Sequence, residues 1–348
     1  MPKRSCSPSS PAPTGSASRG CCASSASASA SEVGRTPLRS PLPVRDGVGA
    51  TRLKVPRTGP WSTIADYVVE RFGHIDPDGL RARFDRGEIV TIDGSPVRVD
   101  TPLGAAEFVW YYRELGVEKL IPFDVEIVHQ DADLVVVDKP HFLPTTPGGG
   151  YVQNSALVRL RVALENPDLT PIHRLDRVTA GLVMFSVRPE TRGAYQSMFA
   201  DRTVEKVYEA VSALPVTGLP ELPRVVRSRL SSEKGRLRVA EEVEGEPNAE
   251  TAIELIRTGE SRGTDAGLPV VHTLLRPRTG RMHQLRAHLA GLGLGILNDR
   301  FYPVLEDESP DDFDRPLQLL ARELRFTDPL TGAPRAFRTA LALQEAPR

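Results

Sequence analysis

The sequence predicts an α+β fold: a mostly antiparallel mixed β-sheet flanked by helices and loops. Short apolar runs of strand length outnumber segments with helical spacing. Strands do not alternate regularly with helices, so the βαβ rhythm of a parallel sheet is missing. No glycine-rich nucleotide loop follows a strand. At 348 residues the chain is long enough for two or three domains of roughly 100 to 200 residues each.

In chain order, residues 1–55 begin rich in Ser, Ala and Pro and are expected to form a disordered tail. A helix is expected over Trp61 to Phe72, where Ser62 can cap it and Ile64, Tyr67 and Val68 fall at helical spacing. A second helix is expected over Asp78 to Asp85. Ile89 to Ile92, the turn Asp93-Gly94 and Val97 to Val99 then give a hairpin signal, and Glu107 to Arg113 a further strand. These pieces define a small N-terminal module, residues 56–118, ahead of a main domain over 119–348.

In the main domain, Val125 to His129 and Leu134 to Asp138 read as strands, His141 to Tyr151 as a loop and Leu157 to Leu164 as a helix. Pro189 suits an early helical position, with Tyr195, Met198 and Phe199 forming an apolar face. Val204 to Ala213 alternates as a strand, placing Lys206 and Tyr208 on one face and Glu205, Val207 and Glu209 on the other. Residues 215–248 hold short pieces whose order the pattern does not resolve. Glu250 to Arg257 and Val270 to Leu275 read as strands, Leu317 to Phe326 as a helix or strand, and Phe337 lies in a last strand.

Two stretches carry chemistry. In PIHRLDRVTAGLVMFS (171–186), Asp176 sits between Arg174 and Arg177 ahead of an apolar run of strand length, with small residues Thr179, Ala180 and Gly181 permitting a close backbone approach. Asp176 is therefore expected on a loop at a strand's entrance. It is either a turn residue in a surface pair worth about 0–1 kcal/mol or a working carboxylate, and the stretch alone does not choose. In LLRPRTGRMHQLRAHL (274–289), a helix is expected from Arg281, with Met282, Leu285 and Leu289 as a core stripe and Arg281, Gln284 and His288 on the neighbouring face. Arg281 at a helix N-terminus would make an anion site. His283 and His288 are five apart, which is not the spacing of a helical zinc pair.

Composition narrows the partners. The chain carries 44 Lys and Arg against 45 Asp and Glu. Residues 1–60 hold nine basic against two acidic, leaving 35 against 43 for the rest. A net acidic body excludes a non-specific nucleic-acid coat, whose affinity comes from neutralising many phosphates. The three cysteines, Cys6, Cys21 and Cys22, lie in the tail, so the fold has no disulfide framework or Cys metal site. No apolar run approaches membrane-span length, so no membrane association and a cytoplasmic location are expected.

The blocks Leu134 to Pro140 (LVVVDKP), His173 to Phe185 (HRLDRVTAGLVMF), Val204 to Ala210 (VEKVYEA) and Thr279 to Leu289 (TGRMHQLRAHL), in that order, resemble the RluA-type family of RNA pseudouridine synthases. Leu319 to Gly332 also fits, and the likeness spans about residues 122–340. It implies the pseudouridine synthase catalytic fold and isomerisation of specific uridines in structured RNA, ribosomal rather than transfer RNA, with no cofactor and no metal. It implies catalytic roles for Asp176, for Arg281 as the arginine pairing with it, and for Tyr208 as the ring that stacks on the base. Arg174 would fill the space left by a flipped nucleotide, while Lys206, Lys139 and Gln284 are expected to contact substrate. Residues 61–113 sit where relatives carry an S4-type RNA-binding domain, so the N-terminal module is expected to be S4-like but degenerate, lacking a dense basic face. Ala180, Met282 and Asn298 depart from the common Ser, Thr and Gly, and the loop after Lys139-Pro140 lacks the frequent His-Pro. A catalytically silent RNA-binding or ribosome-assembly protein on the same fold is the alternative. A monomer is expected.

Overall fold

The structure is a computed structural model that describes residues 39–73, 76–113, 117–233, 238–242, 244–307 and 309–347. Most of the expected disordered tail, residues 1–38, lies outside the described residues. Its last part does not match the expectation. Thr51–Lys54 forms β1 and pairs antiparallel with β2 (Phe108–Tyr111). Between them lie α1 (Ile64–Phe72) and α2 (Pro77–Asp85). Thr63 rather than Ser62 caps α1, in a capping box with Asp66. The expected hairpin over 89–99 is reduced to single bridges: Val97 N donates to Ile89 O at 2.8 Å, while Val90 bridges both Pro96 and Trp110. Val55, Ile64, Val68, Phe84, Ile89 and Val109 close a local core.

The remaining strands form one large sheet, and its elements follow in chain order. They are β3 (Glu126–Gln130), β4 (Leu134–Lys139), α3 (Ala156–Ala163), β5 (Thr170–Pro171), β6 (Ala180–Ser186), α4 (Pro189–Ala200) and β7 (Glu205–Ala213). Then come β8 (Arg224–Ser231), β9 (Ala240–Glu242), β10 (Ala249–Glu260), β11 (Pro269–Pro277), α5 (Gln284–Gly291), β12 (Leu319–Thr327) and β13 (Pro334–Arg338). The sheet runs β3-β4-β6-β12-β7-β11-β10-β8-β9, with β13 on β12 and β5 on β6. Its only parallel pairing among the described strands joins β6 to β12, so the sheet is mixed and mostly antiparallel. β8 and β9 give order to the stretch the pattern could not resolve. β4 and β6 are buried along their whole length, as central strands covered on both faces should be.

The β6·β12 junction sets the position of the loop in front of β6. Gly181 has φ +110°, and a Cβ there would lie 2.7 Å from Ala321 N and closer still to its carbonyl oxygen. The small residues ahead of the apolar run thus serve a close backbone approach, as their size suggests. Gly181→Ala is expected to cost about 2–4 kcal/mol through backbone strain and overpacking, read as a lower urea midpoint. An unchanged midpoint would contradict this account of the junction.

Candidate active site

Asp176 lies on the loop between β5 and β6, at the entrance of a buried strand. The loop is held from behind at three neighbouring backbone positions. Thr145 Oγ1 donates to Leu175 O at 3.0 Å and accepts from Leu175 N at 3.1 Å. His141 Nδ1 donates to Val178 O at 2.7 Å. Lys139 Nζ donates to Arg177 O at 3.2 Å and to Pro140 O and Leu143 O at 2.8 Å. Burial pulls the Lys139 ammonium down to about 7, the nearby Asp176 charge opposing it. Burial also brings His141 down to about 4, so its ring is neutral and bound through the Nδ1–H tautomer.

This corrects the reading of Lys139 as a substrate contact. Its side chain is fully buried and its three donors are spent on loop carbonyls. The loop without His-Pro grips the back of the Asp176 loop instead. Arg177 is also committed elsewhere, in a bidentate pair with Asp311 at 2.7 and 2.8 Å.

The expected pairing of Arg281 with Asp176 is corrected as well. His283, at φ +51°, delays the helix, so α5 starts at Gln284 and not at Arg281. Arg281 stays in the turn, exposed, its Nε donating to Asn248 O at 3.2 Å. Met282 is exposed rather than in the core stripe, and His288 is buried against Ser228 and Thr251. Arg286, in the first turn of α5, reaches Asp176 Oδ2 at 3.3 Å through Nη1.

Arg286 is 2% exposed and binds Asp299 with Nε to Oδ2 at 2.7 Å and Nη2 to Oδ1 at 2.6 Å. The Phe301 and Tyr302 rings lie 5.0 and 5.5 Å from the guanidinium. A cation in the first turn of a helix is opposed by the helix dipole, so carboxylates must hold it there. Burial pulls the Arg286 pKa down, but its bonds to Asp299 and the Asp176 charge more than offset this, and the net shift is upward. Asp299 also accepts Phe301 N at 2.9 Å, and Asn298 ahead of it takes φ +62°, a region Asn enters more readily than most side chains. That accounts for Asn where Gly is common.

Gln284, expected to touch substrate, lines the cleft and is tied into its scaffold. Its Oε1 accepts from Thr279 Oγ1 at 2.7 Å and from Arg281 N at 3.1 Å, and its Nε2 donates to Glu250 O at 3.0 Å and Thr251 Oγ1 at 2.9 Å. All four hydrogen-bonding positions are filled.

Tyr208, Lys206 and Arg174 do gather around Asp176 in one cleft, with Arg281 and His283. Burial and then the Asp176 charge push the Tyr208 phenol well above its ordinary value, so the hydroxyl is neutral. Burial, then Arg202, lowers Lys206 to about 8, and its Nζ donates to Thr279 O at 3.1 Å. Arg174 is exposed beside Asp176. His283 Nε2 stands 3.8 Å from Asp176 Oδ2, and burial outweighs the carboxylate so that its pKa falls. The cleft thus presents one partly exposed carboxylate held by a buried cation, an aromatic ring beside it and three basic side chains around it.

Known proteins share this chain's features. The family described as RNA pseudouridylate synthase matches residues 133–291. An uncharacterized RNA pseudouridine synthase of Synechocystis is 30% identical over 243 residues, 68% of this chain and 78% of that protein. The dual-specificity RNA pseudouridine synthase RluA of Salmonella typhimurium is 29% identical over 217 residues, 61% of this chain and 91% of that protein. RNA pseudouridine synthase 7 of rice is 28% identical, and the match covers 54% of its length. Among solved structures, human RNA pseudouridylate synthase domain containing 1 shares the fold at a TM-score of 0.51 and 23% identity, over 65% of this chain and 86% of that one.

Asp299→Asn is expected to cost about 2–3 kcal/mol, because it leaves a buried guanidinium short of a charged partner. Equilibrium unfolding in urea measures this. Wild-type stability in the variant would mean that the Arg286 pair is incidental.

Proposed function

The chain belongs to the RluA-type family of RNA pseudouridine synthases, and from that premise we propose that Asp176 is the carboxylate that converts uridine to pseudouridine in ribosomal RNA. The observation that carries the reading is the contact of Asp176 with Arg286, with Asp299 behind it, at the floor of a cleft that also holds Tyr208.

The reaction breaks the bond between ribose C1′ and uracil N1, turns the base, and forms a bond from C1′ to C5; C5 then loses its proton and N1 gains one. A carboxylate can attack the electron-poor base or take a proton from the ribose, and both roles require it ionised. Arg286 is a charge-assisted donor to that ionised form, and its own position is fixed by Asp299. The neutral ring of Tyr208 offers a stacking surface, worth roughly 1–3 kcal/mol per base, to a uracil turned out of its helix.

Around the cleft, Arg174, Lys206 and Arg281 are cations suited to the phosphates on either side of the flipped nucleotide. We propose that the protein acts as a monomer. Among the described residues no helix is long and apolar enough to cross a membrane, and we place the enzyme in the cytoplasm with its RNA. The N-terminal module is assigned as a degenerate S4-like contact to RNA, auxiliary to the cleft.

Asp176→Asn is expected to abolish tritium release from C5-labelled uridine in ribosomal RNA while RNA affinity stays within about twofold, since the exchange removes a charge and little contact area. Release at the wild-type rate would remove Asp176 from the mechanism.

A further inference from the structure

The face of the sheet turned away from the cleft carries a second cavity. Side chains alternate along β7, so Tyr208 faces the cleft and Glu209 the opposite side. Glu209 lines the second cavity together with Arg257, His272, Arg322 and Arg338. Two β-bulges supply side chains to it. The β10·β11 pairing slips between Leu255 and Arg257, leaving Ile256 as the extra residue, and the β12·β7 pairing slips between Ala321 and Glu323, leaving Arg322. Ile256 and Arg322 both line the cavity. Bulges commonly re-aim side chains beside functional sites. The segment after β13 forms one wall and is pinned by Glu345, which is fully buried and accepts from Ser261 Oγ and, at 2.9 Å, from Thr264 N.

Among the described residues that line this cavity, charge is unbalanced. Glu209 lies 3.2 Å from both His272 Nε2 and Arg322 Nε, and Arg322 Nη1 donates to Leu341 O at 2.9 Å. Arg257 and Arg338 are exposed and form no ion pair among the described residues, so three guanidiniums meet one carboxylate. His272 is only 7% exposed, yet its Nδ1 has no partner. A ligand hydroxyl would supply the donor that this buried atom lacks.

We propose that this back-face cavity binds a phosphate group, carried by a free nucleotide or by the RNA backbone away from the reacting uridine. Guanidinium forks match phosphate oxygens in pairs, and the imidazole, donating Nε2–H to Glu209, has Nδ1 left to accept a hydroxyl of the sugar that carries the phosphate. Ile256 offers an apolar wall to the rest of a nucleotide.

The full-length protein and an Arg257→Ser/Arg338→Ser variant, changed only at exposed positions, are titrated with adenosine 5′-monophosphate by calorimetry and with a long ribosomal RNA fragment by filter binding. Tritium release from a short stem-loop substrate reads the Asp176 cleft separately and should be unchanged in the variant. If the phosphate comes from a free nucleotide, the variant binds adenosine 5′-monophosphate about tenfold more weakly. If it comes from RNA, affinity for the long fragment falls by a similar factor while the short stem-loop binds as before. The proposal is overturned if both probes bind the variant as they bind the wild type, or if neither binding depends on these arginines when the nucleotide does bind.

Discussion

The site depends on a buried cation with two anionic partners. Arg286 is fixed by two bonds to the buried carboxylate of Asp299 and uses a third nitrogen to meet Asp176, whose side chain is partly open to the cleft. One carboxylate compensates the cost of burying the guanidinium, so the other can be held while staying accessible. A buried charge with a single exposed partner would be costly to keep in place. The first turn of α5 is unfavourable ground for a cation, which makes Asp299 part of the construction and not an ornament to it.

The rest of the scaffold brings Asp176 to that cation. Lys139 at the end of β4, with His141 and Thr145 in the following loop, holds the backbone on both sides of Asp176, and the close approach of Gly181 to Ala321 fixes the strand that follows. The loop therefore has little freedom to slide, and the approach of Arg286 to Asp176 is set by packing. Arg177 adds a lateral tie to Asp311, bringing in the segment between β12 and the Asp299 turn. Catalysis by a lone carboxylate requires such preorganisation, because a small misplacement of the reacting group lowers rate steeply.

Local patterns in the chain gave the strands β4, β6, β7, β10 and β11 to within a few residues, because their apolar runs and alternation are strong signals. The cleft-facing pair Lys206 and Tyr208 followed from period two alone. Three things were not legible. β1 is only four residues long (Thr51–Lys54) with a single apolar residue, and its strand character depends on pairing with β2, more than 50 positions away. The start of α5 was misplaced because a left-handed His283 is invisible to periodicity, and that shift exchanged the roles of Arg281 and Arg286. The family resemblance implied substrate contacts for Lys139 and Gln284, whereas only the fold shows the protein partners of their side chains. A second basic residue in the expected helix, with an unassigned aspartate 13 positions on, was the available signal for the Arg286–Asp299 pair.

The most direct test of the account is the single-turnover rate at saturating RNA for Arg286→Met beside that for Arg281→Met. Arg286→Met is expected to slow conversion by about a hundredfold or more, the scale of losing a charge-assisted contact to the reacting carboxylate, while Arg281→Met converts bound RNA near the wild-type rate and needs more RNA to saturate. A slow Arg281 variant beside a normal Arg286 variant would contradict it.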